Sequence, residues 1–157
     1  NLIYTEHFKV VNKILDYFIE QISDKEKKNL LYEEYPKPIT WEEIEKLSKN
    51  PIISFQSHSV THTAVSSLSE NEIEDEMIKS KEIIEQHTER KVHSFCYPYG
   101  AEKSIGAYAP KIAAKHYNSA VTLMRGRLKK NNPFYLPRID LYNGDSPGFV
   151  RLKVILN

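Results

Sequence analysis

Ile52-Ile53-Ser54-Phe55-Gln56-Ser57-His58-Ser59-Val60-Thr61-His62 passes from a β-branched and aromatic run into a loop of Ser, Thr and His. Ile52, Ile53 and Phe55 read as a short buried strand. Ahead of it, Thr40 and Glu43 have capping-box spacing and Trp41, Ile44 and Leu47 form an apolar stripe behind them, so a helix is expected up to Asn50-Pro51. Beyond it, a loop over 56–68 leads to a second capping box, Ser69 and Glu72. Ile73, Met77, Ile83 and Ile84 support a helix from there to about His87. Helix, strand, loop, helix in this order is the repeating unit of an α/β chain.

The same alternation extends outward. Val92 to Tyr97 reads as the next strand, ended by Pro98-Tyr99-Gly100. Pro110 suits the first turn of a short helix ending near Tyr117, and Ser119 to Leu123 reads as a strand. A basic polar loop over 125–132 follows, with further strands expected near Leu136 to Leu141 and Val150 to Ile155. Upstream, Phe8, Val11, Ile14, Leu15, Phe18 and Ile22 recur at helical spacing. Residues 23–35 are mostly charged, and Pro36 and Pro38 interrupt any helix there. The pattern predicts an α/β protein with a parallel sheet. Active sites of such folds gather at the carboxyl ends of strands. The two most unusual stretches, after Phe55 and after Tyr97, fall at such ends.

Composition narrows the function classes. At 157 residues the chain has room for one domain with a sizeable core. Lys plus Arg number 22 against 21 Asp plus Glu, a net charge of +1, which lacks the basic footprint of a nucleic-acid binder and gives no attraction to an anionic membrane. No run approaches the roughly 20 apolar residues of a membrane span. One cysteine, Cys96, rules out an internal disulfide.

Three constellations could hold chemistry. In His58-Ser59-Val60-Thr61-His62 two imidazoles stand four residues apart, which a helical turn would place on one face for a shared metal. With 6 His in the chain such spacing also arises by accident, leaving two solvated loop histidines as the plain alternative. Phe95-Cys96-Tyr97-Pro98-Tyr99-Gly100 ends a strand in a rigid rim, where a fixed backbone N–H could stabilise an oxyanion. The alternative is a strand end with packed aromatics. In Leu136-Pro137-Arg138-Ile139-Asp140, Arg138 could orient a carboxylate and Asp140 could serve as ligand or base, or the two could simply be surface charges on a strand.

Taken in this order, these residues resemble the polysaccharide deacetylase family, the NodB-homology domains of carbohydrate esterase family 4. The resemblance runs from Ile39-Thr40-Trp41-Glu42-Glu43 through the His58–His62 loop, Leu68-Ser69-Glu70, Ser80-Lys81, Phe95 to Gly100, and Ala120-Val121-Thr122 to Leu136-Pro137-Arg138-Ile139. It implies a distorted (β/α) barrel, incomplete at its N-terminus, in a single domain over 1–157 with a variable helical segment over 1–38 and the recognisable core over 39–157. It further implies a metal-dependent hydrolase that removes N- or O-acetyl groups from a polysaccharide or oligosaccharide, at the bacterial cell envelope or after secretion. His58 and His62 would be ligands of a divalent metal, zinc above all. The Tyr99 N–H would hold the oxyanion, Tyr97, Pro98 and Tyr99 would line the sugar site, and Arg138 and Asp140 would be further catalytic candidates.

The departures are equally informative. The family's first motif, a Thr-Phe-Asp-Asp stretch with the catalytic base and a third ligand, has no match here, and neither does its late Leu-x-His general acid. Cys96 stands where many relatives have Arg, and Arg138 is the candidate to replace it. The polypeptide as written is therefore expected to be weak or inactive. A missing first strand would leave a sheet edge for an absent segment or another chain to cover. The rival reading is a non-catalytic module that binds glycan by stacking on Tyr97, Tyr99 and Trp41.

Overall fold

The computed structural model describes Tyr17 and residues 38–126, 132–142 and 144–156. Helix α1, Trp41–Ser48, begins where the capping box predicts: Glu43 N–H donates to Thr40 Oγ1 at 3.2 Å and Thr40 N–H to Glu43 Oε2 at 2.8 Å. The longest helix, α2, spans Glu70–Thr88 and starts on the Ser69–Glu72 box. Strand β1, Ser94–Cys96, and strand β2, Ser119–Val121, pair in parallel with Phe95 opposite Ala120. Between them lie a single turn, α3 (Glu102–Ile105), and α4 (Ala109–His116), whose second residue is Pro110.

Two single bridges widen the sheet. Ser57 pairs in parallel beside Phe95, and Leu136 beside Val121. The parallel order is thus Ser57, β1, β2, Leu136, which follows the chain, with α2 and α4 as the connections. Consecutive βαβ units of this kind are the building step of α/β folds. Among the described residues these pairings do not close into a barrel. The core joins strands and helices: Ile73 and Met77 from α2, Phe95 from β1, Ile112 and Ala113 from α4, and Ala120 from β2 are all buried.

Three expectations change. No strand forms over 52–55: Ile52 is 88% exposed, and Ile52 and Ile53 donate their amides back to Asn50 in a turn. The Gln56 side chain then accepts from His93 N–H and Ser94 N–H, at 2.9 and 2.8 Å, the place where a neighbouring strand's carbonyl would sit. Backbone pairing with β1 therefore begins only at Ser57. The strand expected over 136–141 is reduced to Leu136: beyond it the Thr122 carbonyl accepts from the Arg138 side chain, and Arg138 N–H goes instead to Met124 O, out of ladder register. The strand expected over 150–155 is instead part of helix α5, Pro147–Leu156. There Ser146 Oγ accepts from Phe149 N–H, and Lys153 reaches back to Asp145 Oδ2 at 2.6 Å and Asp140 O at 2.9 Å, which local contacts favour over extended chain. The helix expected over 8–22 lies outside the described residues apart from Tyr17, which is helical.

Candidate active site

The site grows from the carboxyl end of β1. The Cys96 carbonyl accepts from His58 Nδ1 at 2.7 Å. That bond puts the ring proton on Nδ1 and leaves the Nε2 lone pair for a ligand, the usual way a protein orients a metal-binding imidazole. The loop does not bring His62 round by a helical turn. Ser59 and His62 adopt left-handed backbone, φ 67° and 57°, and Ser59 Oγ accepts from His62 N–H at 3.0 Å. The ring centroids of His58 and His62 end 4.8 Å apart, nearly perpendicular at 81°. Glu76 of α2 takes the two amides between them: Val60 N–H and Thr61 N–H both donate to its Oε2, at 2.8 and 2.9 Å.

The third ring is Tyr99, whose centroid lies 5.0 Å from that of His62. Tyr99 is itself left-handed, φ 60°, and half exposed. Gly100 follows at φ 59°, and its carbonyl accepts from Leu123 N–H at 2.8 Å. A Cβ at Gly100 would stand 2.5 Å from the Leu123 nitrogen, so only glycine lets the end of β2 approach this corner. Among the described residues the Tyr99 N–H has no backbone acceptor, so it is available to an anion. Three of the four non-glycine residues with positive φ among those described are Ser59, His62 and Tyr99. Such strain, of order 1–3 kcal/mol each, collects at functional sites.

The other candidates separate. Tyr97 and Pro98 are fully buried, which corrects their expected place on a sugar platform. Tyr97 packs edge-on against Phe95 and donates its hydroxyl to Phe134 O at 3.0 Å, and burial pushes its phenol far above the ordinary range. Trp41 stacks on His87 at 4.0 Å, so one of its faces is taken. Arg138 does come to the strand ends: its Nε donates to Thr122 O, just past β2, at 2.6 Å, and its guanidinium lies beside the thiol of Cys96, the last residue of β1. Burial pushes that thiol up, and Arg138 opposes the shift. The Asp140 carboxylate instead faces Arg125 at 3.7 Å.

The donor set fits a zinc-type ion in kind, since neutral imidazoles are its common ligands. It fits only in part by number. Among the described residues no group of three or more His, Cys, Asp or Glu gathers to hold a metal, and Asp140 does not complete the pair. Sequence reasoning did not single out Glu76 and gave no role to Ser80 or Gln56. The signal was present: the capping box fixes the register of α2, and Ile73, Glu76, Met77 and Ser80 then share one face at i, i+3, i+4, i+7. Two polar residues on a core-facing stripe call for partners.

The family model for polysaccharide deacetylases matches residues 13–120. The chain belongs to the polysaccharide deacetylase family. The match begins upstream of the resemblance noted from Ile39. No curated protein matches the chain. Among solved structures it is similar to the Streptococcus pyogenes deacetylase PplD, in complex with acetate, at 23% identity and a TM-score of 0.67, over 76% of this chain and 52% of that one. A polysaccharide deacetylase from Bacillus cereus gives 20% identity and a TM-score of 0.67, over 77% of this chain and 38% of that one. A putative one from Bacillus anthracis gives 20% and 0.65, over 74% and 36%. At these identities the likeness concerns the fold. This polysaccharide deacetylase chain spans about half or less of the length of each of these structures.

Proposed function

We propose that the protein is a metal-dependent deacetylase that hydrolyses N- or O-acetyl groups on a polysaccharide or oligosaccharide. The observation behind this reading is the row of rings His58, His62 and Tyr99 at the carboxyl end of β1. His58 and His62 would hold a divalent ion, zinc by the donor type. The bound ion supplies Lewis-acid polarisation of the acetyl carbonyl.

This chain's own groups do the rest. The Tyr99 N–H, fixed by the left-handed corner, donates to the oxyanion as the carbonyl carbon becomes tetrahedral; one such donor is worth about 2.7–4 kcal/mol in related chemistry. The exposed Tyr99 ring offers its apolar face to a pyranose. Arg138, held at the end of β2 by Thr122 O with its guanidinium beside Cys96 of β1, would orient a carboxylate at the site through its charge.

The test is acetate release from N-acetylated chito-oligosaccharides by the full-length protein with added zinc or cobalt. Wild type is expected to release acetate, and His58→Ala and His62→Ala are expected to fall to background. Full activity in either variant overturns the reading. Binding of the oligosaccharide without any acetate release would favour a non-catalytic glycan-binding module, a reading supported by the absence, among the described residues, of a group of three or more His, Cys, Asp or Glu placed to hold a metal.

A further inference from the structure

We propose that Glu76 is a positioning residue for the His58–His62 pair, clamping the backbone between them so that the two imidazoles meet. The inference rests on the metal-site reading above for its purpose, though not for its geometry. One carboxylate oxygen accepts from two successive amides, Val60 N–H and Thr61 N–H. Successive N–H groups beside a left-handed residue, here Ser59, form a concavity that suits an anion. Hydrogen bonds to a charged acceptor are about twice as strong as neutral ones. They oppose the cost of keeping Ser59 and His62 at positive φ, which persists only where surroundings over-determine it.

The clamp has a second jaw. Ser80, one turn further along α2, bonds the Ser57 hydroxyl, and both serines are buried. Helix α2 thus grips the chain at Ser57 and again at Val60–Thr61, on either side of His58. The alternative, that Glu76 is an ordinary surface charge paired along its helix, does not suit the contacts: the neighbouring Lys79 is taken by Asp75 at 2.7 Å. Glu76 lies 15 and 16 residues from its two donors in sequence, so the contact is tertiary.

The test uses the full-length protein and two readouts. In metal-free protein, NMR contacts between the ring protons of His58 and His62 are expected in wild type and in Glu76→Gln, which keeps an acceptor at the same reach. They are expected to vanish in Glu76→Ala and in Glu76→Asp, whose side chain is one methylene too short, while core amide signals persist. The Asp variant keeps charge and helix face, so it guards against loss of folding. Zinc titration should show the dissociation constant rising roughly 10–100-fold in the Ala and Asp variants, with recovery in Gln. Ring contacts that survive in both Ala and Asp overturn the positioning role, whatever zinc does. Ring contacts that respond as expected, in a protein whose wild type ignores zinc, sustain the clamp and overturn the metal reading alone.

Discussion

His58 Nδ1 lies 2.7 Å from the carbonyl oxygen of Cys96, a residue 38 positions away in the chain. This one bond fixes a loop imidazole to the carboxyl end of β1. It joins the two stretches whose meeting the functional account requires. With Cys96 N–H donating to Ser57 O at 2.8 Å, the same residue also receives the entry to the loop, so the ring and its backbone are referenced to one strand end.

The Gly100 corner sets the distance between that strand end and β2. Gly100→Ala combines positive φ with a Cβ that would meet Leu123 N at 2.5 Å and Leu123 Cβ at 2.9 Å. Overpacking costs about 1–3 kcal/mol and left-handed backbone about 1 more. Chemical denaturation is expected to show a loss of about 2–4 kcal/mol; a change below about 0.5 kcal/mol would mean the corner is loose.

Tyr99 combines strain with exposure. Tyr99→Gly relieves the left-handed backbone, offsetting the entropy glycine adds to the unfolded chain, so stability is expected to stay within about 1 kcal/mol of wild type. Removing the ring should raise the KM for chito-oligosaccharides about five- to tenfold, the worth of roughly one aromatic contact. An unchanged KM would remove Tyr99 from the sugar site.

Glu85 links stability to pH. Its carboxyl is held below the ordinary range, first by Val92 N–H and then by Lys91. A carboxyl with a lowered folded pKa stabilises at neutral pH, and that contribution disappears as pH falls through the folded value. Glu85→Gln is expected to be less stable than wild type by about 0.5–1 kcal/mol at pH 7, with the gap narrowing below the ordinary carboxylate range and closing only once pH has fallen through the lowered folded value. A gap that persists in acid would place the effect elsewhere.

Burial holds the Cys96 thiol in its protonated form at neutral pH. Since the thiolate is the reactive species, alkylation by iodoacetamide in the folded protein should be at least ~10-fold slower than in urea. Equal rates would show the thiol to be open to solvent and ionised.

Much of this arrangement was legible before any coordinates. The capping boxes at Thr40–Glu43 and Ser69–Glu72 report local hydrogen bonds, and both helices begin there. The parallel pairing of 94–96 with 119–121 followed from alternation of helix and strand. Local rules failed where side chains replaced backbone. Gln56 stands in for a strand, and Ser146 with Lys153 turns a β-branched segment into a helix. The His58–His62 loop and the Tyr-Pro-Tyr-Gly corner stood out by residue type, and the rings of His58, His62 and Tyr99 do lie together, though not through the helical turn that the spacing suggested. Tyr97 was misplaced because alternation along β1 sends it into the core while Cys96 stays half-buried. Glu76 could be placed on the core-facing stripe of α2 from the capping-box register, but its partners are backbone amides, which residue identity does not name.

The central claim is that the imidazoles of His58 and His62 share one cation. Zinc titration of the full-length protein, followed by the ring-nitrogen NMR signals of both histidines, tests it directly. The account predicts that both sets of signals shift together and saturate at one zinc per chain. Saturating zinc that leaves either ring unmoved would contradict it.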